Sequence, residues 1–208
     1  GIRADTKAIF TKIYVNNHWK SIESRSGNGS TLEATKELRV DLDTMLQRLR
    51  VRTLVDAGCG DLIWMSQITS TFDLYLGYDV VEELINNNRI LFSEQKKLLF
   101  GVADIAFDTL PRGDAVLCRN TLNHLPNELV LKALNNFSIS ESHYLVATTM
   151  PGVINSDTKI GQWRQIDLTA EPFSLPQPIH LIKDGDSKYN RFLGVWNFWG
   201  CSKSGSSL

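Results

Sequence analysis

The chain has 208 residues, of which 42% are hydrophobic and 22% are charged, so it is long enough to bury the core of one domain. Its formal net charge of -1 gives no electrostatic footprint for nucleic acid. No apolar run approaches the roughly 20 residues needed to span a bilayer. These properties predict a single globular domain over 1–208 with no nucleic-acid partner and no membrane span.

The cysteines and the N-terminal residues bear on the compartment. Cys59, Cys118 and Cys201 are an odd number without metal-ligand spacing, and we interpret them as free thiols in a reducing cytoplasm. The four histidines are scattered, so we expect no zinc site. The first residues lack the apolar core of a signal peptide. We therefore expect a cytoplasmic protein that needs no metal.

Residues 1–50 predict helices around a polar loop. Apolar and aromatic residues over 8–19 favour a short helix that leads into a loop. Residues 24–30 contain two glycines and predict a flexible loop. Ser30 with Glu33 predicts a capping box that begins the next helix. The apolar positions of that helix recur at helical spacing and predict one buried face: Leu38, Leu42, Met45, Leu46 and Leu49.

The pattern then alternates between strand and helix. Strands are predicted at 52–56, 74–79, 97–102, 114–118 and 144–149, with helices over about 62–69, about 81–93 and from Pro126. Prolines end the alternation, and 179–182 and 192–198 predict an antiparallel pair. We predict an α/β fold: a doubly wound, seven-stranded, mostly parallel, Rossmann-like sheet with a C-terminal antiparallel hairpin. In it, 51–150 form the ligand-binding core, 151–200 the substrate side and 201–208 a flexible tail.

The most informative motif follows the first strand. That strand ends near Asp56, and Gly58 and Gly60 then let the backbone approach a ligand closely. The second strand ends in Asp79, and a third acid, Asp104, follows the third strand. The carboxyl ends of parallel strands share one edge of a sheet. The spacing predicts a nucleoside site with Asp79 on the ribose hydroxyls. The alternative role of each acid is to cap the following helix.

These residues resemble the class I S-adenosylmethionine-dependent methyltransferases over about 20–200. Residues 56–60 are similar to that family's glycine motif, although Leu62 stands where its third glycine is usual. Asp79 matches the ribose-binding acid, and Asp104 the acid that receives the adenine amino group. The resemblance implies the cofactor S-adenosylmethionine, held by Asp56, Gly58, Cys59, Gly60, Asp79, Val80, Asp104 and Ile105, with Trp19, Arg25 and Ser30 covering it.

Three segments are similar to small bacterial methyltransferases associated with capsule and surface-saccharide synthesis. They are residues 23–30, residues 118–125, and residues 161–164 together with 172–176. This resemblance implies O-methylation of a small polar acceptor, such as a sugar or a sugar-linked phosphate or phosphoramidate group. In that subgroup the residue matching Asn120 is often Asp, so a base at this position would have lost its carboxylate here.

The loop after the fourth strand holds the candidate catalytic residues Arg119, Asn120 and His124, and Arg119 or Arg164 would orient an acidic part of the acceptor. Imidazole titrates near neutral pH, which makes His124 the best general base in the chain. Its alternative role is to satisfy backbone groups before a helix. The candidate acceptor-binding residues are Trp163, Arg164 and Asn123. An arginine there would clamp a carboxylate or a phosphate.

Residues 20–30, termed the lid segment below, are expected to close over the cofactor with Arg25 on its carboxylate. Asp61 either caps the helix predicted from Leu62 or faces the methionine end of the cofactor. Two other functions stay open: a nucleotide-dependent oxidoreductase and a non-enzymatic nucleoside-binding domain. The first is disfavoured because the turn lacks the full Gly-x-Gly-x-x-Gly pattern.

Overall fold

A computed structural model of the protein describes residues 1–68, 72–185 and 188–198. The predicted tail at 201–208 and Cys201 lie outside the described residues. The helices are α1 (Ile2–Val15), α2 (Lys36–Arg48), α3 (Glu82–Leu91) and α4 (Asn127–Ile139). The strands are β1 (Thr53–Ala57), β2 (Leu74–Asp79), β3 (Leu98–Val102), β4 (Ala115–Cys118), β5 (Tyr144–Thr149), β6 (His180–Lys183) and β7 (Phe192–Asn197). Short 3₁₀ turns cover Asn28–Ser30, Met65–Gln67 and Leu122–His124.

The seven strands form one sheet in the order β3-β2-β1-β4-β5-β7-β6. The first five are parallel, whereas β7 runs antiparallel to both β5 and β6. The predicted Rossmann-like sheet with a C-terminal antiparallel hairpin is therefore confirmed. All four residues of β4 are buried, as expected for a central parallel strand covered on both faces.

Helices cover the two faces of the sheet. Successive β1 residues Leu54 and Val55 belong to two different apolar clusters, because neighbouring side chains of a strand point to opposite faces. One cluster includes the buried leucines of α2, Leu38, Leu42 and Leu46, which confirms the predicted apolar stripe. The other includes the apolar face of α4. None of the helices in the described residues is long and apolar enough to span a bilayer.

Three local predictions differ from the structure. The first helix is longer than predicted and spans Ile2–Val15. The capping box is wrong, because α2 begins at Lys36 and Ser30 ends a 3₁₀ turn instead. The helix predicted over 62–69 is also wrong. Leu62 has a φ of +59°, a left-handed conformation that does not continue into an α-helix, and in the residues described up to 68 only the turn Met65–Gln67 follows.

Leu62 holds this conformation through burial. Its side chain is 1% exposed and packs in the cluster that includes Leu38 and Trp64. Leu62, which stands where the third glycine is usual, therefore has a positive φ although it is not glycine. Tertiary packing at this position outweighs the steric cost of a left-handed leucine, roughly 1–2 kcal/mol.

Candidate functional site

A cavity lies at the carboxyl ends of the parallel strands, where a doubly wound sheet binds its ligands. Every residue assigned to the cofactor from the sequence lines it: Trp19, Arg25, Ser30, Asp56, Gly58, Cys59, Gly60, Asp79, Val80, Asp104 and Ile105. The candidate catalytic residues Arg119, Asn120 and His124 line it as well. One cavity thus brings together residues from five separate parts of the sequence.

The turn after β1 folds back toward β2 and is crowded from two sides. The backbone N–H groups of Gly58 and Cys59 donate to the Tyr78 carbonyl at 2.8 and 2.9 Å. Gly58 has a φ of +89°, and a Cβ there would lie 2.2 Å from Thr121 Oγ1. A Cβ on Gly60 would lie 2.2 Å from Ser26 Oγ. The loop after β4 and the lid segment therefore both close against this turn, and neither glycine has room for a side chain.

A side chain at Gly58 should destabilise the fold, and Gly152 provides a matched control. Gly58→Ala should destabilise the fold by about 2 kcal/mol or more beyond Gly152→Ala, because both alanines adopt a strained φ but only the first meets another atom. Gly152 has a φ of +87° and nothing within 4 Å of its Cβ position. Urea unfolding of the two variants measures the difference. Equal free energies of unfolding would show that Thr121 moves aside freely.

Asp79 ends β2 and is held by the backbone on both oxygens. Its Oδ2 accepts the N–H of Gly60 at 3.2 Å, and its Oδ1 accepts the N–H of Val81 at 3.1 Å. Burial raises the pKa of this carboxyl, and the backbone hydrogen bonds partly offset that effect. Each carboxylate oxygen has a second lone pair, so the fixed side chain can accept two further hydrogen bonds.

One carboxylate oxygen of Asp104 receives no hydrogen bond from the described residues. Its Oδ1 accepts the N–H of Ala106 at 3.0 Å. Its Oδ2 is buried and has no hydrogen-bond partner among the described residues. Burial raises the pKa of this carboxyl. Buried polar atoms nearly always have a partner, so this oxygen, in a residue that lines the cavity, can accept a hydrogen bond from a ligand or a water.

Asp56 lies within β1, one residue before the strand ends, and is buried. Its Oδ2 accepts the Tyr75 hydroxyl at 2.6 Å. Burial raises the pKa of Asp56 to about 7, although the hydrogen bond from Tyr75 acts against this. Asp56 lines the cavity while its carboxyl is held by Tyr75. Cys59 and Cys118 are buried free thiols nearby.

Asp61 holds the lid segment rather than capping a helix. Its Oδ2 accepts the Ser24 hydroxyl at 2.9 Å and the backbone N–H of Arg25 at 2.8 Å. The backbone N–H of Asp61 donates to Ser26 Oγ at 3.4 Å. Locally, Asp61 Oδ1 accepts the backbone N–H of Ile63 at 3.3 Å, but no helix begins there, and Asp61 also lines the cavity. The partners in the lid segment lie more than 30 residues away in the sequence.

Arg119 forms a buried ion pair. Its Nε and Nη2 donate to the two carboxylate oxygens of Asp184, each at 2.8 Å. The Nη2 atom also donates to the Gly29 carbonyl at 2.8 Å. The guanidinium lies 4.9 Å from the ring centroid of Trp64. Arg119 thus joins the loop after β4 to the lid segment and to the β6–β7 connection, and these bonds compete with the predicted role of orienting an acceptor.

Asn120 and Thr148 fix the loop after β4. Asn120 has a φ of +52°, and its N–H donates to Thr148 Oγ1 at 2.7 Å. Asparagine tolerates this left-handed conformation better than most residues. The loop therefore turns sharply at the cavity, and the 3₁₀ turn Leu122–His124 follows.

His124 is buried in the cavity wall. Its ring centroid lies 5.2 Å from that of Trp19. Its Nδ1 is buried and has no hydrogen-bond partner among the described residues. Burial lowers the pKa of His124 to about 4. The expectation that it titrates near neutral pH is therefore wrong: the ring is neutral at pH 7 and is a weak base.

The three candidate acceptor-binding residues lie outside the cavity lining. Arg164 donates to Asn127 Oδ1 at 2.7 Å, to the Ser156 carbonyl at 2.6 Å and to the Leu125 carbonyl at 3.0 Å. Asn123 Nδ2 donates to the Arg164 carbonyl at 3.1 Å. These bonds join two loops, and we withdraw both residues from the candidate acceptor site. Trp163 is 41% exposed and contacts the Tyr189 ring at 4.9 Å between centroids.

Sequence reasoning missed the wall that α1 forms. Four α1 residues line the cavity: Thr6, Phe10, Ile13 and Tyr14. Phe10, Ile13 and Tyr14 recur at helical spacing, but that signal does not distinguish a core from a ligand-binding wall. Thr121 and Trp64 also line the cavity. Within the described ranges no group of three or more His, Cys, Asp or Glu residues is arranged to hold a metal ion.

No family model and no curated protein sequence matches the chain, whereas solved structures do. Magnesium protoporphyrin IX methyltransferase (ChlM) from Synechocystis PCC 6803 with bound SAM matches with a TM-score of 0.59 at 15% identity, over 91% of this chain and 95% of that chain. An S-adenosylmethionine-dependent methyltransferase from Clostridium acetobutylicum ATCC 824 matches with a TM-score of 0.60 at 9% identity, over 78% and 91%. The fold is that of the S-adenosylmethionine-dependent methyltransferases.

Two further comparisons cover less of the methyltransferase. Human N-acetylserotonin methyltransferase in complex with SAM matches with a TM-score of 0.60 at 13% identity, over 79% of this chain and 52% of that chain. The SAH-bound structure of the Synechocystis enzyme matches with a TM-score of 0.50 at 19% identity, over 59% of this chain and 58% of that chain. In these two comparisons the chain spans little more than half of the other protein. Identities this low establish a shared methyltransferase fold and no shared acceptor.

Proposed function

We propose that the chain is an S-adenosylmethionine-dependent methyltransferase that modifies an oxygen of a small polar acceptor. One observation carries the first half of this proposal: the unpartnered Asp104 Oδ2 lies in the same cavity wall as Asp79. Asp79 would accept the ribose hydroxyls, and Asp104 Oδ2 would accept the adenine amino group. When bound, the cofactor would supply an activated methyl group, so the chain itself needs to position the acceptor and assist proton removal.

The turn after β1 supports this cofactor over a dinucleotide. Dinucleotide-binding folds place the pyrophosphate at the N-terminus of the helix that follows the glycine turn. Here Leu62 adopts a left-handed conformation, and the described residues between it and β2 form only a 3₁₀ turn. The Asp61 carboxylate also lies at this point, where it would repel a pyrophosphate. The oxidoreductase alternative is therefore disfavoured.

His124 supports an acceptor with a hydroxyl group. Its Nδ1 is buried without a hydrogen-bond partner in the part of the chain that the structure describes, and the ring is neutral at pH 7 because burial lowers its pKa to about 4. A neutral imidazole nitrogen accepts a hydrogen bond from a hydroxyl and orients its oxygen. As a weak base, His124 would take the proton late, while the new bond forms. The acceptor class we propose, a sugar or a sugar-linked phosphate or phosphoramidate of a surface polysaccharide, rests on the subgroup resemblance.

A labelling experiment tests this function. The chain is incubated with S-adenosylmethionine that carries a trideuterated methyl group and with a panel of sugars, sugar phosphates and sugar phosphoramidates. Mass spectrometry should find the labelled methyl on an oxygen of one acceptor class. Binding of the cofactor without transfer to any member of the panel would favour the non-enzymatic nucleoside-binding domain.

A further inference from the structure

The lid segment folds around the Ser24 hydroxyl. The backbone N–H of Ser26 donates to Ser24 Oγ at 3.1 Å, and the backbone N–H of Ser24 donates to Ser21 Oγ at 3.2 Å. Ser24 is 1% exposed, and its hydroxyl donates onward to the Asp61 carboxylate at 2.9 Å. Hydrogen bonds within the lid segment therefore fix its conformation. The bond from Ser24 to the Asp61 carboxylate connects the segment to the glycine turn.

Asp61 also fixes the backbone of the neighbouring residue. Its Oδ2 accepts the N–H of Arg25 at 2.8 Å, and Ser26 on the other side lies where a Cβ on Gly60 would be. Arg25 is thus held between two residues that rest against the turn. Its side chain lines the cavity, where its Nη1 donates to the Tyr14 carbonyl at 3.4 Å, a long and weak hydrogen bond.

The charges around this point need a cation. Asp61 and Asp79 both line this part of the cavity, and a bound carboxylate beside them would meet like charge. The hydrogen bonds from Ser24 and Arg25 occupy the Asp61 oxygens. The Arg25 guanidinium then supplies the opposite charge, since Arg119 is paired with Asp184.

We propose that Asp61 is a positioning residue: it fixes the backbone of Arg25 so that the guanidinium pairs with the amino-acid carboxylate of the cofactor. This inference rests on the proposed function. From the sequence, Asp61 was expected either to cap a helix or to face the cofactor directly. Asp61 acts here through Arg25 and not by contact with the cofactor.

Two ligands separate this role from a general effect on the fold. S-adenosylhomocysteine carries the amino-acid carboxylate, whereas 5′-methylthioadenosine has the same nucleoside without it. Isothermal titration calorimetry should show that Asp61→Ala and Arg25→Ala each weaken S-adenosylhomocysteine binding by about 10-fold or more, the value of one charge-assisted contact. Binding of 5′-methylthioadenosine should change less than about 3-fold in either variant. Asp73→Ala, which removes an exposed carboxylate paired with Arg52, should change neither affinity.

The double variant tests whether Asp61 acts through Arg25. The Asp61→Ala/Arg25→Ala chain should bind S-adenosylhomocysteine no more weakly than Arg25→Ala alone, because the positioning role has nothing left to position. Additive losses would show that Asp61 contacts the cofactor itself, and equal losses for both ligands would show a structural role; either result overturns the inference. Failure of the unchanged chain to bind S-adenosylhomocysteine would instead overturn the proposed function together with it.

Discussion

Replacing Asp79 with alanine should lower the affinity for S-adenosylhomocysteine by about 30- to 1000-fold. The variant loses two hydrogen bonds from the ribose hydroxyls to a carboxylate, which together contribute about 2–4 kcal/mol. The carboxylate is preorganised, because Gly60 and Val81 already hold its oxygens. Equilibrium dialysis with radiolabelled S-adenosylhomocysteine measures the loss directly.

Asp114 provides the matched control for this substitution. Like Asp79, it accepts two backbone N–H groups, those of Arg52 and Thr53, each at 2.8 Å. It lies before β4, at the opposite end of the sheet from the cavity. Asp114→Ala should therefore cost stability without changing ligand affinity. If the two alanine variants bind S-adenosylhomocysteine equally well, Asp79 does not contact the nucleoside.

His124→Ala should lower methyl transfer by roughly 100-fold or more and leave the affinity for S-adenosylhomocysteine nearly unchanged. The histidine is expected to orient the acceptor hydroxyl and to take its proton, so its loss affects kcat and not cofactor binding. The pKa of about 4 sets the pH dependence. The neutral ring predominates above that pKa, so the contribution of His124 should stay constant from pH 8 to pH 5 and fall only as the pH approaches 4.

The measurement is kcat on an acceptor found with the labelled cofactor, for His124→Ala beside His180→Ala. His180 is an exposed residue of β6, and its removal should leave kcat unchanged. Alternatively, the acceptor oxygen is already an anion, as in a phosphate or phosphoramidate, and methyl transfer to it needs no base. In that case His124→Ala would keep most of its turnover, which would contradict the role given to the histidine.

The sequence predicts those parts of the site that a short stretch of residues marks by itself. The glycine turn, Asp79 and Asp104 each follow an apolar strand, and parallel strands bring such positions to one edge. The helix at 62–69 was wrong because the burial of Leu62 fixes a left-handed turn, an effect of packing that local propensity does not contain. The titration of His124 was misjudged for a related reason, since its burial is also a tertiary property.

Hydrogen-bond partners that lie far apart in the chain could not be predicted from the sequence. Arg119 pairs with Asp184, 65 residues away, and Asp61 with Ser24, 37 residues away. A charged side chain in a loop gives no indication of which distant residue neutralises it. Arg119 and Arg164 were therefore expected to meet an acceptor, whereas both form bonds within the chain.

Calorimetric titration of the unchanged chain with S-adenosylhomocysteine shows whether the cavity binds S-adenosylmethionine. One molecule should bind per chain, S-adenosylmethionine should compete for the same site, and NAD titrated under the same conditions should give no binding heat. Absence of S-adenosylhomocysteine binding by the folded chain, or equal binding of NAD, would contradict the assignment of the cavity to this cofactor.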